Sequence, residues 1–224
     1  MAELYLVRHG QASLGSDNYD RLSEKGVQQC VWLAEHFARN GVRFDRVVTG
    51  TLQRHAQTLD AIRRTLPELP VECEVLPELD EYDFHALFRA LGAEHRHLAE
   101  AVAGDPHAFF KALRQVLQLW AEGKLDERVP ETWTAFQQRV AAARSAVQQG
   151  GARRVLAVTS GGVIAALIQQ ALHAPAAAGI ALNMQIRNSS VTHCFFNREA
   201  FQLSSFNAIS HLDDPERHAF QTYG

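Results

Sequence analysis

Short apolar runs alternate with longer stretches of helical spacing along this chain. Leu4-Tyr5-Leu6-Val7 is a compact apolar run ending at Arg8-His9-Gly10, the pattern of a buried strand that enters a loop. Behind Ser23, apolar side chains recur at Val27, Val31, Leu33, Ala34 and Phe37. This spacing predicts a helix capped by Ser23 and closing near Asn40-Gly41. Val47 to Thr49 reads as a second strand and Leu52 to Leu66 as a second helix, stopped by Pro67. Val71 to Leu76 reads as a third strand between Pro70 and Pro77. From Phe84 the pattern turns helical, broken at Gly104-Asp105-Pro106, and a further helix is predicted from Thr132 to Gln149. Val155 to Thr159 is the fourth strand, followed by Ser160-Gly161-Gly162 and a helix from Val163 to Leu172. Two β-rich runs, Ser190 to Phe196 and Phe201 to Phe206, complete the sheet.

Strands alternating with helices predict an α/β fold, a three-layer α/β/α sandwich with a mainly parallel central sheet. The expected organisation is a single domain over residues 1–224 with an inserted helical lid at about 84–130. The lid's apolar residues, Phe84, Leu87, Phe88, Phe109, Phe110 and Trp120, read first as its own core and second as the lining of a pocket. An alanine-rich stretch runs from Ala171 to Ala181.

Composition narrows the function. With 224 residues, 46% of them hydrophobic, the chain can build one sizeable core. A net charge of -3 argues against nucleic-acid binding, which rests on a basic stripe. Cys30, Cys73 and Cys194 are odd in number and widely spaced, so neither a disulfide framework nor a zinc site is indicated. Each is expected to be a small core hydrophobe. The first residues lack a signal-peptide pattern, and no apolar stretch reaches the ~18 residues of a membrane span. A soluble cytoplasmic protein is expected, with no membrane partner, and a homodimer is compatible with the sequence.

Three strand ends deliver chemistry: Arg8-His9-Gly10, Thr49 to Arg54, and Thr159 to Gly162. Ligands of open α/β sheets bind beyond the carboxyl ends of strands, so these loops are expected to converge. A guanidinium forks onto phosphoryl oxygens, and a neutral imidazole attacks phosphorus to hold the group covalently. On three residues alone, RHG reads equally well as a surface turn.

The wider pattern resembles the histidine phosphatase superfamily, also called the phosphoglycerate mutase-like family. Leu6 to Ser13 is similar to its opening signature, Leu22-Ser23-x-x-Gly26-x-x-Gln29 to the helix start that follows, and Thr51-Leu52-x-Arg54-x-x-x-Thr58 to its second arginine motif. Leu79 to Phe84 is similar to its acidic motif, and Glu131-Thr132-Trp133, Phe136 and Arg139-Val140 to the helix before the fourth strand. The resemblance implies that His9 becomes the phosphohistidine, that Arg8 and Arg54 bind the phosphoryl oxygens, and that Glu81 protonates the leaving alcohol. Gln11, Ser160 and Gly161 are the further candidates for phosphate or substrate binding. No metal and no cofactor are called for: His95-x-His97 is the closest histidine pair, without partners at metal-ligand spacing.

One departure stands out. The family usually has a histidine before glycine after the fourth strand, and here Ser160 occupies that place. Losing a charged transition-state contact costs about 10²–10³ in rate. Three readings stay open: a slow phosphatase, a site repaired by another group, or a protein that binds phosphorylated ligands without turnover. His55, His85 and His211 are repair candidates, each with the competing reading of a structural or surface histidine. Adjacent helix positions point about 100° apart, so Arg54 and His55 are not expected to aim together. The tryptophan-asparagine pair that follows RHG in the mutases is missing from Gln11 to Arg21. The preferred reading is therefore a phosphatase of a small phosphorylated metabolite, with a mutase less favoured.

Overall fold

A computed structural model describes residues 1–13, 20–100 and 106–223. Six strands form one mixed sheet in the order β3-β2-β4-β1-β5-β6. In chain order these are β1 (Ala2–Arg8), β2 (Arg46–Thr49), β3 (Glu74–Val75), β4 (Arg154–Thr159), β5 (Val191–Phe196) and β6 (Phe201–Ala208). The first four are parallel, whereas β5 pairs antiparallel with both β1 and β6.

The strand interior is buried on both faces, and residue parity sorts it. Leu4 and Leu6 of β1, with Val155 and Ala157 of β4, join the core that contains Phe136, Val140, Ile164 and Ile168. Val7, Val47, Leu156 and Val158 join the opposite core, with Leu33, Phe37, Leu59 and Ile62. The period of two along each strand thus sends alternate side chains to separate helical layers. One layer is α1 (Glu24–Arg39) and α2 (Gln53–Thr65). The other holds α6 (Trp133–Gln149), α7 (Gly161–Ala171) and α8 (Ala176–Asn183).

Between β3 and α6 lie α3 (Phe84–Arg89), α4 (Arg96–Glu100) and α5 (Pro106–Ala121). Their Leu87, Phe88, Leu113, Leu117 and Trp120 share one apolar cluster with Leu4, Leu6 and Phe136. This helical segment therefore packs into the main core instead of closing on a core of its own. The expected break at Gly104-Asp105-Pro106 lies, for its first two residues, outside the described ones; α5 begins at Pro106.

Capping explains the helix starts. The Ser23 hydroxyl accepts from Gly26 N at 3.0 Å, and the Thr132 hydroxyl accepts from Ala135 N at 3.2 Å, each satisfying a donor the helix cannot. Two expectations need correction, and one helix was not anticipated. The third strand shrinks to Glu74–Val75 because Arg63 takes the carbonyls of Pro70 and Val71, at 3.1 and 2.8 Å, away from any ladder. Helix α7 starts at Gly161, not Val163, so the glycines belong to its first turn. Helix α8 occupies the alanine-rich stretch, whose uniform composition carries no amphipathic period. Among the described residues no helix is long and apolar enough to cross a membrane.

Arg139 ties α6 to the acidic loop. It forks onto Glu131 at 2.7 and 2.9 Å and donates to the carbonyls of Glu78 and Asp80 at 3.0 and 2.7 Å. We expect Arg139→Met to lower stability by about 2 kcal/mol, in line with the worth of hydrogen bonds to charged groups. Urea unfolding followed by circular dichroism checks this; an unchanged midpoint would show that the fork is dispensable.

Candidate active site

The site grows from strand register. Arg8 of β1 lies opposite Thr159 of β4, and the ladder continues one residue further, with His9 N donating to the Thr159 carbonyl at 2.9 Å. This seats His9 beside Ser160. The His9 carbonyl accepts from Ser189 N at 3.2 Å and from the Asn188 amide at 3.3 Å, while Gly10 N donates to the Thr58 hydroxyl at 3.1 Å. The backbone of the loop is pinned on each side. Helices α1 and α2 cover one face of the sheet and α7 the other, leaving these groups at the carboxyl ends of neighbouring strands, where ligands of such sheets bind.

His9 is 3% exposed. Its Nδ1 lies 2.7 Å from the Gly10 carbonyl, and since a carbonyl only accepts, that nitrogen carries the proton. Nε2 then keeps its lone pair, which accepts from Arg54 Nε at 3.2 Å. Burial, followed by the charges of Arg8 and Arg54, holds the imidazole well below its ordinary range, so His9 is neutral at physiological pH.

Arg54 enters from the first turn of α2. Its Nη1 pairs with Asp20 at 2.6 Å, and the same carboxylate accepts from Gln53 N at 2.8 Å. Arg8 Nη1 donates to the carbonyls of Ile186 and Tyr223, the latter at 2.5 Å, and its guanidinium lies beside Gly161. Glu81 Oε2 accepts from Gly162 N at 3.0 Å and Oε1 from Tyr82 N at 3.2 Å. A Cβ at position 162 would collide with the Glu81 carboxylate and the Tyr82 ring, so glycine is what allows Glu81 to dock on the start of α7. Burial raises the Glu81 pKa against the opposing pull of that N–H and of both guanidiniums.

The remaining candidates divide. Ser160 is fully buried, and its hydroxyl lies 2.7 Å from His55 Nε2. Gln11 turns its amide oxygen to the Ser23 hydroxyl at 3.0 Å. His85 is exposed and rests against Phe84. His211 is buried 2.7 Å from the Ser189 hydroxyl, supporting the loop that backs His9. His55 departs from expectation: its ring centroid lies 5.8 Å from that of His9. Arg54 and His55 do diverge as the helix requires, one reaching Nε2 of His9 and the other turning to Ser160, yet both border the same space. Burial and then Arg54 lower the His55 pKa to about 3.

Sequence reasoning passed over Asp20, which orients Arg54 from a polar loop without periodicity. It also passed over Asn188 and Ser189, a polar pair preceding a strand that is fully buried here. Cys30 is buried beside Gly10 and its thiol is pushed up to about 12 by burial; Cys194 is likewise buried, whereas Cys73 is partly exposed. Among the described residues no group of three or more His, Cys, Asp or Glu side chains is placed to hold a metal ion.

Residues 4–209 match the family model of the histidine phosphatase superfamily (branch 1), and the chain belongs to that superfamily. Solved structures agree on the fold. A phosphoglycerate mutase from Bacillus anthracis is 20% identical, covering 94% of each chain with a TM-score of 0.69. A putative alpha-ribazole-5'-P phosphatase from Escherichia coli is 22% identical, covering 93% of this chain and 98% of its own, with a TM-score of 0.66. A mycobacterial glucosyl-3-phosphoglycerate phosphatase is 22% identical, covering 93% and 99%, with a TM-score of 0.64. None of the curated proteins compared matches the chain significantly.

The site's electrostatics can be read directly. We expect the His9 ring nitrogens, followed by ¹⁵N–¹H correlation from pH 8 downward, to stay neutral with the proton on Nδ1 through pH 6.5. Protonation should set in only below the ordinary histidine range. A His9 titrating at or above that range would contradict the burial and the two flanking guanidiniums.

Proposed function

We propose that this protein is a metal-independent phosphomonoester hydrolase that works through a phosphohistidine at His9 and acts on a small phosphorylated metabolite. The observation that carries this reading is the tautomer of His9, with its Nδ1 proton donated to the Gly10 carbonyl and its Nε2 lone pair directed at a guanidinium. That nitrogen is buried, neutral and nucleophilic, and the cation beside it suits phosphoryl oxygens.

In the first step Nε2 attacks phosphorus and the P–O bond to the alcohol breaks. Arg54 exchanges the ring for a phosphoryl oxygen, and Arg8 provides the second guanidinium. Glu81, protonated, gives its proton to the leaving oxygen. In the second step water attacks the phosphohistidine, the Glu81 carboxylate takes a proton from that water, and phosphate and neutral His9 are regenerated. Gly161 and Ser160 border the phosphoryl position from the start of α7, and Gln11 stands in the loop that follows His9 and Gly10. Segment 84–130 is assigned as the lid. An apolar cavity lined by Tyr82, Trp133, Phe136, Ile180 and Asn183 adjoins Gly162, but at about 10 Å³ it has no room for an organic leaving group.

The two pKa shifts run toward each other, His9 down and Glu81 up. Each shift enlarges the share of enzyme that holds a neutral His9 together with a protonated Glu81, the reactive combination, and activity should decline at both pH extremes.

Phosphate release from a panel of phosphomonoesters should survive EDTA and vanish in His9→Ala, with an acid-labile phosphoenzyme in the parent protein only. No turnover on the panel, with phosphate binding still dependent on Arg8 and Arg54, would instead identify a phosphate-ligand binder. Glu81→Gln should cost about 10²–10⁴-fold on an alkyl phosphate and far less on p-nitrophenyl phosphate, whose leaving group needs no proton. Equal losses on both substrates would remove Glu81 from the role of acid.

A further inference from the structure

Three side chains from three separate segments form a row that ends at the carboxyl end of β4: the Asp80 carboxylate, the His55 imidazole and the Ser160 hydroxyl. His55 Nε2 stands 2.7 Å from Ser160 Oγ, and His55 Nδ1 stands 3.7 Å from Asp80 Oδ1. His55 and Ser160 are both 0% exposed. Asp80 is itself fixed, accepting from Thr51 N at 2.6 Å and from the Thr51 hydroxyl. Gly50 leaves the room for this approach, since a Cβ there would collide with both His55 Nδ1 and Asp80 Oδ1. Taking a polar imidazole and a hydroxyl out of water is unfavourable without partners, and these two satisfy each other at the carboxyl end of β4, next to His9.

We infer that His55 is a positioning residue that holds the Ser160 hydroxyl as a hydrogen-bond donor to the transferring phosphoryl group. The inference rests on the phosphohistidine reading above. Donor and acceptor accounting gives the direction. A serine hydroxyl has one proton, and a phosphoryl oxygen can only accept it, so His55 Nε2 must donate to Oγ when the ligand is bound. Nδ1 is then unprotonated and makes no hydrogen bond among the described residues, against the pull of the Asp80 carboxylate 3.7 Å away, which favours a proton there. An unsupported hydroxyl would rotate among several orientations; one whose lone pair is held by a buried imidazole is aimed before the ligand arrives. The pair thus works as one hydrogen-bonded unit, with Ser160 touching the phosphoryl group and His55 acting through it.

The test uses the full chain with p-nitrophenyl phosphate for turnover and inorganic vanadate for binding. Ser160→Ala and His55→Ala should each lower kcat by about 100-fold, the usual worth of one preorganised donor, and the double variant should be no slower than either single one. His55→Gln, whose amide N–H can still donate to Oγ, should stay within a few-fold of the parent in kcat and in vanadate affinity. Near-parental kcat in a folded His55→Ala protein, or losses that multiply in the double variant, would overturn the inference. If His55→Ala does not fold, Ser160→Ala and His55→Gln decide it alone: an unaffected Ser160→Ala or an inactive, folded His55→Gln would refute it. Failure of the underlying reading is separable, because the parent protein would then show no turnover at all or His9→Ala would keep it.

Discussion

The parallel register between β1 and β4 governs the arrangement of every group in the site. Arg8 opposite Thr159, and His9 bonded to the carbonyl of that threonine, make the ends of two neighbouring strands finish level. Shifting the pairing by one residue would exchange the two faces of β1, sending Leu4 and Leu6 into the layer of α1 and α2. The apolar partition of the cores therefore enforces the same register that brings His9 and Ser160 together. Fold stability and site geometry are specified by one set of buried leucines and valines.

Around that frame, charge is arranged by contacts that each have one clear purpose. Asp20 steadies Arg54, main-chain carbonyls steady Arg8, and the first turn of α7 receives Glu81. The carboxylate meets a helix start that favours its ionised form, yet burial prevails and keeps its proton affinity high. The same low-polarity surroundings work in the opposite sense on His9, because desolvation always disfavours the charged form and the two residues carry opposite charges. One environment thus keeps an imidazole neutral and favours a protonated carboxyl at once.

Much of this was legible before any coordinates. Strand β1, the α1 cap at Ser23, and the convergence of Arg8, His9 and Arg54 follow from apolar runs, turn chemistry and the rule that sites lie beyond strand ends. Other features left no local trace. Helix α8 is built of alanines that display no face, and β3 is cut short by an arginine side chain that competes for its carbonyls. Asp20 sits in a loop with no period to betray its partner. His55 was visible as a histidine next to Arg54, but its approach to Ser160 depends on the tertiary packing of α2 against β4. Helical spacing correctly separates the two side chains; it says nothing of a third element placed between them.

The buried Cys30 beside Gly10 gives the molecule a particular chemical temperament. With its thiol held at about 12, it carries essentially no thiolate at neutral pH, and thiolate is the form that peroxides and alkylating reagents attack. The sulfur that lies against Gly10 is thereby inert toward such reagents. An oxidant that consumes exposed thiolates would therefore leave this position untouched.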